Sequence, residues 1–80
     1  MKVSQFHVKN QLVIETDKAI FFQSYSSIIV KKEKGVITLD INKWDYSRTT
    51  GKYRNLFLNE TKAETEKKIK SGVYKLENLN

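Results

Sequence analysis

Residues 27–41, which read SIIVKKEKGVITLDI, decide the fold because they have the pattern of two strands joined by a tight turn. Ser27–Lys32 and Val36–Asp40 are rich in β-branched residues, which favour strands. Lys34-Gly35 lies between them, and glycine tolerates the positive φ that a tight turn needs. Polar and apolar residues alternate along the second strand, which predicts that one face of the sheet is buried. Ile28–Val30 has no such alternation, so we expect this strand either to be central and covered on both sides or to be flanked by a neighbouring chain.

Three further strands are predicted before this hairpin, because the preceding segments are also rich in β-branched and aromatic residues. They span Val3–Val8, Gln11–Glu15 and Ala19–Tyr25. The breaks between them fall at Lys9-Asn10 and around Asp17, and Asn and Asp are common turn residues. Connections this short join antiparallel neighbours. The first part of the chain is therefore expected to form an antiparallel sheet.

The chain changes character after the hairpin, and a helix is predicted over residues 48–58. Ser47 is a favourable N-cap for this helix. Asn59 is expected to end it, because asparagine tolerates the left-handed conformation found at helix ends. Gly51 lies inside the helix and is expected to weaken it by about 1 kcal/mol.

A second helix is predicted over residues 61–71, because Thr61 and Glu64 have the spacing of a capping box. The alternating residues 73–76 then predict a short last strand. The order of these elements predicts one α+β domain over residues 1–80. Its antiparallel sheet would have five to six strands, and the two short C-terminal helices would pack on one face of that sheet.

Composition narrows the class of protein. A chain of 80 residues is long enough for about one domain. It has no cysteine, which fits a reducing compartment, and it has no apolar stretch of the length that a signal peptide or a membrane span needs. We therefore expect a soluble cytoplasmic protein without a membrane partner. The formal net charge of +6 favours a polyanionic or acidic partner.

The side chains that could carry catalysis are few. His7 is the single histidine, and no nucleophile or orienting carboxylate lies near it in the sequence. The three glycines match neither a phosphate-binding loop nor a dinucleotide fingerprint. The sequence therefore predicts a protein that is not an enzyme and that has neither a cofactor nor a metal site.

The segment 44–50, Trp-Asp-Tyr-Ser-Arg-Thr-Thr, is the most distinctive part of the chain. Backbone N–H groups at a helix start, together with hydroxyl and basic side chains, have the chemistry to hold a phosphate or another anion. In an alternative interpretation, Trp44 and Tyr46 close the open end of the sheet and Ser47 only caps the helix. The two interpretations are compatible. The predicted binding residues are Tyr46, Arg48, Thr49, Thr50, Lys52 and Arg54.

Residues 22–28, the segment 44–50 and Phe57-Leu58 together resemble a family of small bacteriophage proteins that carry a domain of unknown function. The resemblance covers residues 20–76 approximately. Many such proteins have glycine after the Phe-Leu pair, where this chain has Asn59, which suits the same helix-ending conformation. The resemblance implies a phage origin and hence a location in the host bacterial cytoplasm.

Two functional hypotheses follow from the charge, the segment 44–50 and the resemblance. The first is a non-enzymatic phage or mobile-element protein that binds a host protein and inhibits or modulates it, for example an immunity nuclease, as anti-CRISPR proteins do. The second is a small basic accessory protein that binds nucleic acid through Arg48, Lys52 and Arg54 together with the lysines of the hairpin tip. Either a monomer or a homodimer is compatible with the sequence.

Overall fold

The structure, a computed structural model, describes residues 1–80. It contains one six-stranded sheet and two helices, which confirms the predicted α+β class with C-terminal helices. In chain order the elements are β1 (Lys2–Phe6), β2 (Val8–Glu15), β3 (Ile20–Ser24), β4 (Ser27–Glu33), β5 (Val36–Asp40), α1 (Arg48–Leu58), α2 (Lys62–Lys70) and β6 (Tyr74–Glu77).

The six strands lie in sequence order across the sheet, and each successive pair from β1 to β5 is antiparallel. The last strand is different, because β6 pairs in parallel with β5, from Ile37 beside Tyr74 to Asp40 beside Glu77. The sheet is therefore mixed and not wholly antiparallel. The reason lies in the connection: both helices separate β5 from β6, and a crossover of that length carries the chain back to the end of the sheet where β5 began.

The first turn lies at His7 and not at Lys9-Asn10. β1 ends at Phe6 and β2 begins at Val8, so His7 makes the reversal with a φ of 68°. Asn10 also has a positive φ, of 73°, but it lies within β2. Phe6 packs edge-on against two core aromatic rings, with ring centroids 5.8 and 5.9 Å away. The alternation of side chains along residues 3–8 therefore continues past the chain reversal at His7, so the pattern alone does not show where β1 ends.

A β-bulge in the middle of the sheet explains the apolar run Ile28–Val30. β4 is central, since it pairs with β3 on one side and β5 on the other. Phe22 lies opposite Val30 while the next residue of β3 lies opposite Ile28, so Ile29 is the extra residue. A bulge turns two successive side chains toward one face. Ile29 and Val30 are consequently both buried in the core, and only Ile28 is half-buried.

Both helices pack against this core. Tyr53 and Phe57 of α1 and Ile69 of α2 contact the cluster that contains Phe22 and Leu39, and the rings of Phe22 and Phe57 stack with centroids 5.4 Å apart.

The predicted helix ends are confirmed. The Ser47 hydroxyl accepts a hydrogen bond from the Thr50 N–H at 3.1 Å, and Asn59 ends α1 with a φ of 56°. Thr61 and Glu64 form both bonds of a capping box. Local capping thus fixes where each helix begins and where α1 ends.

The last residues of the chain close a gap in the sheet. The pairing of β4 with β5 ends at Val30 and Leu39, and β5 itself ends at Asp40. Beyond that point the side-chain amide of Asn80 takes the place of a strand: its Oδ1 accepts from the Ile28 N–H at 2.7 Å, and its Nδ2 donates to the Ile28 carbonyl at 3.0 Å. The Asp40 carboxylate accepts from the backbone N–H two residues beyond β6, at Leu79, at 2.7 Å.

Candidate functional site

An open groove of about 730 Å³ lies along the N-terminal half of α1. Four cationic side chains and one carboxylate line it, and Leu56 is its single hydrophobic residue. Cationic side chains therefore dominate the groove, which favours an anionic or acidic ligand. The lining residues are Asp45, Ser47, Arg48, Gly51, Lys52, Arg54, Asn55, Leu56 and Lys62.

The turn that leads into α1 builds one wall of the groove. After β5, the chain turns back at once, since the Asp40 carbonyl accepts from the Trp44 N–H at 3.0 Å. Trp44 is half-buried and packs against the core, which places Asp45 beside the helix. Ser47 then caps α1, so that Arg48 and Lys52, four residues apart on the same side of the helix, face the solvent.

Arg54 holds this turn against the helix. Its side chain is only 1% exposed, which is rare for arginine. The guanidinium donates to the Trp44 carbonyl at 2.7 Å, to Asp45 Oδ1 at 3.0 Å and to Asn55 Oδ1 at 2.8 Å, and its Cζ lies 5.1 Å from the centre of the Trp44 ring. Both terminal nitrogens are therefore hydrogen-bonded within the protein, and Nε is buried without a partner. Arg54 is therefore a positioning residue for the groove and is not free to bind a ligand.

Asp45 joins the two helices across the groove. One carboxylate oxygen accepts from Arg54, and the other lies 2.7 Å from the Lys62 ammonium at the start of α2. Burial alone would raise the pKa of Asp45, but the hydrogen bonds from Lys62 and Arg54 outweigh it and lower that pKa below its usual value. The carboxylate is therefore ionised at neutral pH, and Asp45 partly offsets the positive charge of the groove.

Gly51 makes room for the pair of Arg54 and Asp45. A Cβ atom at position 51 would lie 3.3 Å from Asp45 Oδ1 and 3.7 and 3.8 Å from the two terminal nitrogens of Arg54. From the sequence alone, this glycine is only a weak point of the helix. In the structure its missing side chain avoids a tight contact with Asp45 Oδ1, while the two Arg54 nitrogens lie at ordinary contact distance.

The structure separates the six predicted binding residues into two groups. Arg48 and Lys52 are exposed and line the groove, and Thr49 and Tyr46 are exposed beside it. Tyr46 is 44% exposed, with the Lys43 ammonium 5.1 Å from its ring centre. Arg54 lines the groove from a buried position, and Thr50 is fully buried.

Thr50 has a structural role in this arrangement. Its hydroxyl shares a hydrogen bond of 2.8 Å with Ser24, which fastens the first turn of α1 to the end of β3. Sequence reasoning missed the contributions of Asp45, Asn55 and Lys62. No local signal marks Lys62, because its contact with Asp45 spans seventeen positions, from 45 to 62.

A second polar cluster fixes the connection between the helices. The Glu60 side chain is only 4% exposed, and its carboxylate accepts hydrogen bonds from Thr65, from Lys68 at 2.7 Å and from the Tyr74 hydroxyl at 2.7 Å. Burial alone would raise the pKa of Glu60, but the hydrogen bonds from Lys68, Thr65 and Tyr74 lower it. Burial and the bond to Glu60 raise the pKa of Tyr74. This cluster ties α2 and β6 to the end of α1.

Two further observations concern the molecule as a whole. Neither helix is long and apolar enough to cross a bilayer. No three side chains of the types that ligate metals come together in a group suited to hold an ion. The expectations of no catalysis and no cofactor stay predictions.

The fold and the groove define a small α+β protein whose most distinctive surface is a cationic groove beside a capped helix. The chain belongs to the family of unknown function DUF8033, whose sequence profile matches residues 1–72. The matched region includes β1–β5, both helices and the groove, and it ends before β6. A comparison with curated proteins and a comparison with solved structures each give no significant match.

Proposed function

We propose that this protein is a non-enzymatic phage or mobile-element protein that binds a host protein through the groove beside α1 and inhibits or modulates it. The composition of the groove carries the proposal: Arg48, Lys52 and Lys62 present positive charge around one carboxylate, with Leu56 and Tyr46 exposed at 49% and 44%. Arginine, tyrosine and an apolar contact in one patch are typical of protein interfaces. The partner surface would be acidic and would include an apolar contact.

The preorganisation of the groove supports the same proposal. Arg54 and Asp45 lock the turn onto the helix from a mostly buried position, and Ser24 anchors Thr50 beneath it. A binding surface that is rigid before it meets its partner loses less conformational entropy on binding. The exposed residues Arg48 and Lys52 are therefore presented on a fixed support.

The alternative, a nucleic-acid-binding accessory protein, has weaker support in the geometry. Arg54 is occupied within the fold, and the lysines of the hairpin tip lie at the far end of β4 from the first turn of α1, a distance of about 20 Å for a strand of this length. Acidic side chains also alternate with these lysines, as Glu33 and Glu77 lie in one shallow depression with Lys31, Lys34 and Lys75. The two cationic regions do not merge into the continuous stripe that a phosphate backbone would track.

The proposed phage origin, and with it the proposed location in the host bacterial cytoplasm, rests on the resemblance of residues 20–76 to phage proteins. Among host targets, an immunity nuclease suits the groove chemically. Metal-dependent nucleases hold their ions with acidic side chains, and such a cluster of carboxylates would complement a cationic groove. An anti-CRISPR-like role is the specific form of the proposal.

Charge reversal tests the proposal. The double variant Arg48→Glu/Lys52→Glu changes the groove alone, and glutamate in the first turn of α1 also suits the helix dipole, so the fold is retained. The matched control is Lys9→Glu/Lys18→Glu, which makes the same change in net charge at exposed positions outside the groove. Tagged proteins would be incubated with nuclease-treated lysate of a bacterium that carries the gene, and the affinity for each captured host protein would then be measured by titration.

We expect one host protein to be retained by the native chain and by the control in stoichiometric amount. The groove variant should bind it at least tenfold more weakly, which corresponds to about 1.4 kcal/mol. Equal binding by the groove variant and the control would refute the groove as the contact. Binding of the native chain to DNA or RNA that weakens steeply with salt, with no protein retained, would favour the alternative.

A further inference from the structure

The open edge of the sheet at β1 has no partner in the structure. β1 is the first strand of the sheet and pairs only with β2, and four of its five residues are exposed along their length. We propose that β1 pairs with the β1 strand of a second copy of this chain, antiparallel to it, so that two sheets join into one. This inference is independent of the groove, which lies beside α1.

β1 has few of the features that protect natural sheet edges from pairing. Such features are a very short strand, proline, charged side chains, a bulge along the strand or a covering helix. The chain contains no proline, Lys2 is the only charge in β1, and the one irregularity in its pairing lies at the far end, between Gln5 and Phe6. The other edge of the sheet is different: β6 has only four residues, of which Lys75 and Glu77 are charged, and α2 packs beside it.

The sequence of β1 is compatible with antiparallel pairing to itself. If the pairing is centred on Ser4, each Val3 lies opposite Gln5 of the second copy, and each Lys2 lies opposite Phe6 of the second copy. The two Lys2 side chains are then at opposite ends, separated by about four residues or 13 Å along the strands. That separation exceeds the Debye length of about 8 Å at physiological salt, so the only charges in the strand do not oppose pairing.

The apolar surface next to β1 also favours a second copy of the chain as its pairing partner. Val3 is 53% exposed, and the strand register places it in one row with Ile14 and Phe21, which are both half-buried. With Ser4 at the centre, each Val3 lies beside Gln5 of the second copy and diagonal to the second Val3 on the same face, so pairing would cover the exposed side of Val3 and would place the two apolar rows two residues apart on one face of the joined sheet. A second copy brings its own row of Val3, Ile14 and Phe21, whereas an unrelated extended peptide has no sheet and no such row.

A cysteine substitution at the centre of the strand gives the first test. The native chain has no cysteine, so Ser4→Cys introduces the only thiol. Directly opposed residues of antiparallel strands have Cα atoms about 4.5–5.5 Å apart, which falls in the range of a disulfide. Asp17→Cys, at an exposed loop position, is the matched control. Under mild oxidation at micromolar concentration we expect Ser4→Cys to form disulfide-linked dimers about a hundredfold faster, since pairing raises the local thiol concentration to the millimolar range.

Charge substitutions at the same position give the second test. Ser4→Lys and Ser4→Glu each place two like charges opposite each other in the dimer, and Ser4 is exposed, so neither should disturb the monomer fold. By sedimentation velocity we expect the native chain to be dimeric, each variant alone to be monomeric, and an equal mixture of the two variants to be dimeric again. Circular dichroism would check that both variants are folded. The inference would be overturned by a native chain that is monomeric at every concentration, by equal cross-linking of the two cysteine variants, or by Ser4→Lys and Ser4→Glu proteins that each remain dimeric.

Discussion

Replacing Arg54 by methionine should destabilise the protein strongly. Methionine keeps much of the side-chain volume but removes the guanidinium that bonds to the Trp44 carbonyl, Asp45 and Asn55. Removing one member of a buried ion pair typically costs about 3–5 kcal/mol. Asp45 remains partly exposed and keeps its contact with Lys62, so the lower value of about 3 kcal/mol is appropriate here. Arg48→Met, at an exposed position, should change the free energy of unfolding by less than about 0.5 kcal/mol.

This difference is large for so small a protein. A chain of this length is expected to have a total free energy of unfolding of roughly 4–12 kcal/mol. With a urea m-value of about 1 kcal/mol/M, Arg54→Met should lower the midpoint of unfolding by about 3 M. Trp44 is the only tryptophan and lies beside Arg54, so its fluorescence reports unfolding at the site itself.

Urea titrations of the native chain, Arg54→Met and Arg48→Met would give the comparison directly. Arg54→Lys should be intermediate, because lysine keeps the charge but lacks the planar fork that bonds to three acceptors. If Arg54→Met and Arg48→Met had the same midpoint, Arg54 would not be the buried support of the groove. The assignment of Arg54 as a positioning residue would then be wrong.

Three further predictions concern the pH dependence, the helix end and the C-terminal tail. Because the folded pKa of Glu60 is lowered below its usual value of 4.5, its ionised form stabilises the fold above that value, and this stabilisation is lost as the pH falls through the lower folded pKa. Glu60→Gln should therefore melt at a lower temperature than the native chain at neutral pH but lose less stability on acidification. If the melting temperatures of the two proteins changed by the same amount as the pH was lowered, this prediction would be contradicted. Asn59→Ala should lower the free energy of unfolding by about 1–2 kcal/mol because alanine is strained in the left-handed conformation, whereas Asn59→Gly should retain it, as urea titration would show. Asn80→Ala should abolish the protection of the Ile28 N–H against hydrogen exchange while Val30 stays protected, and unchanged exchange at Ile28 would refute the proposed closure by the tail.

Local signals in the sequence predicted most of the fold. Ser47, Asn59 and the pair of Thr61 and Glu64 act within a few residues of the helix ends they define, so their roles can be read without knowing the tertiary structure. The strand segments were also predicted closely. The exception, His7, shows the limit of pattern: alternation continued past the residue where the chain reverses.

Non-local contacts decided what the sequence did not reveal. From the sequence, Arg54 is indistinguishable from the other cations exposed on a helix. It is buried only because the segment with Trp44 and Asp45 folds back over α1 and accepts its hydrogen bonds. From the sequence, Gly51 appears only as a helix-weakening residue, whereas in the structure a Cβ at this position would lie 3.3 Å from Asp45 Oδ1, a tight contact. The parallel pairing of β6 depends on where two helices return the chain, which no residue within β6 encodes. The exposed members of the groove, Arg48 and Lys52, were predicted because exposure is the default for such side chains.

The position of β6 also has a consequence for synthesis of the protein. Its pairing partner, β5, is synthesised more than thirty residues earlier, since Ile37 lies beside Tyr74. β5 also contributes Leu39 to the hydrophobic core. A released chain that lacks β6 would leave β5 as the outer strand of an unfinished sheet, with backbone groups ready to pair with any extended segment nearby. Interrupted translation before β6 would therefore leave a fragment open to proteolysis and aggregation. When β6 is present it covers this edge of β5, and α2 packs beside β6 in turn.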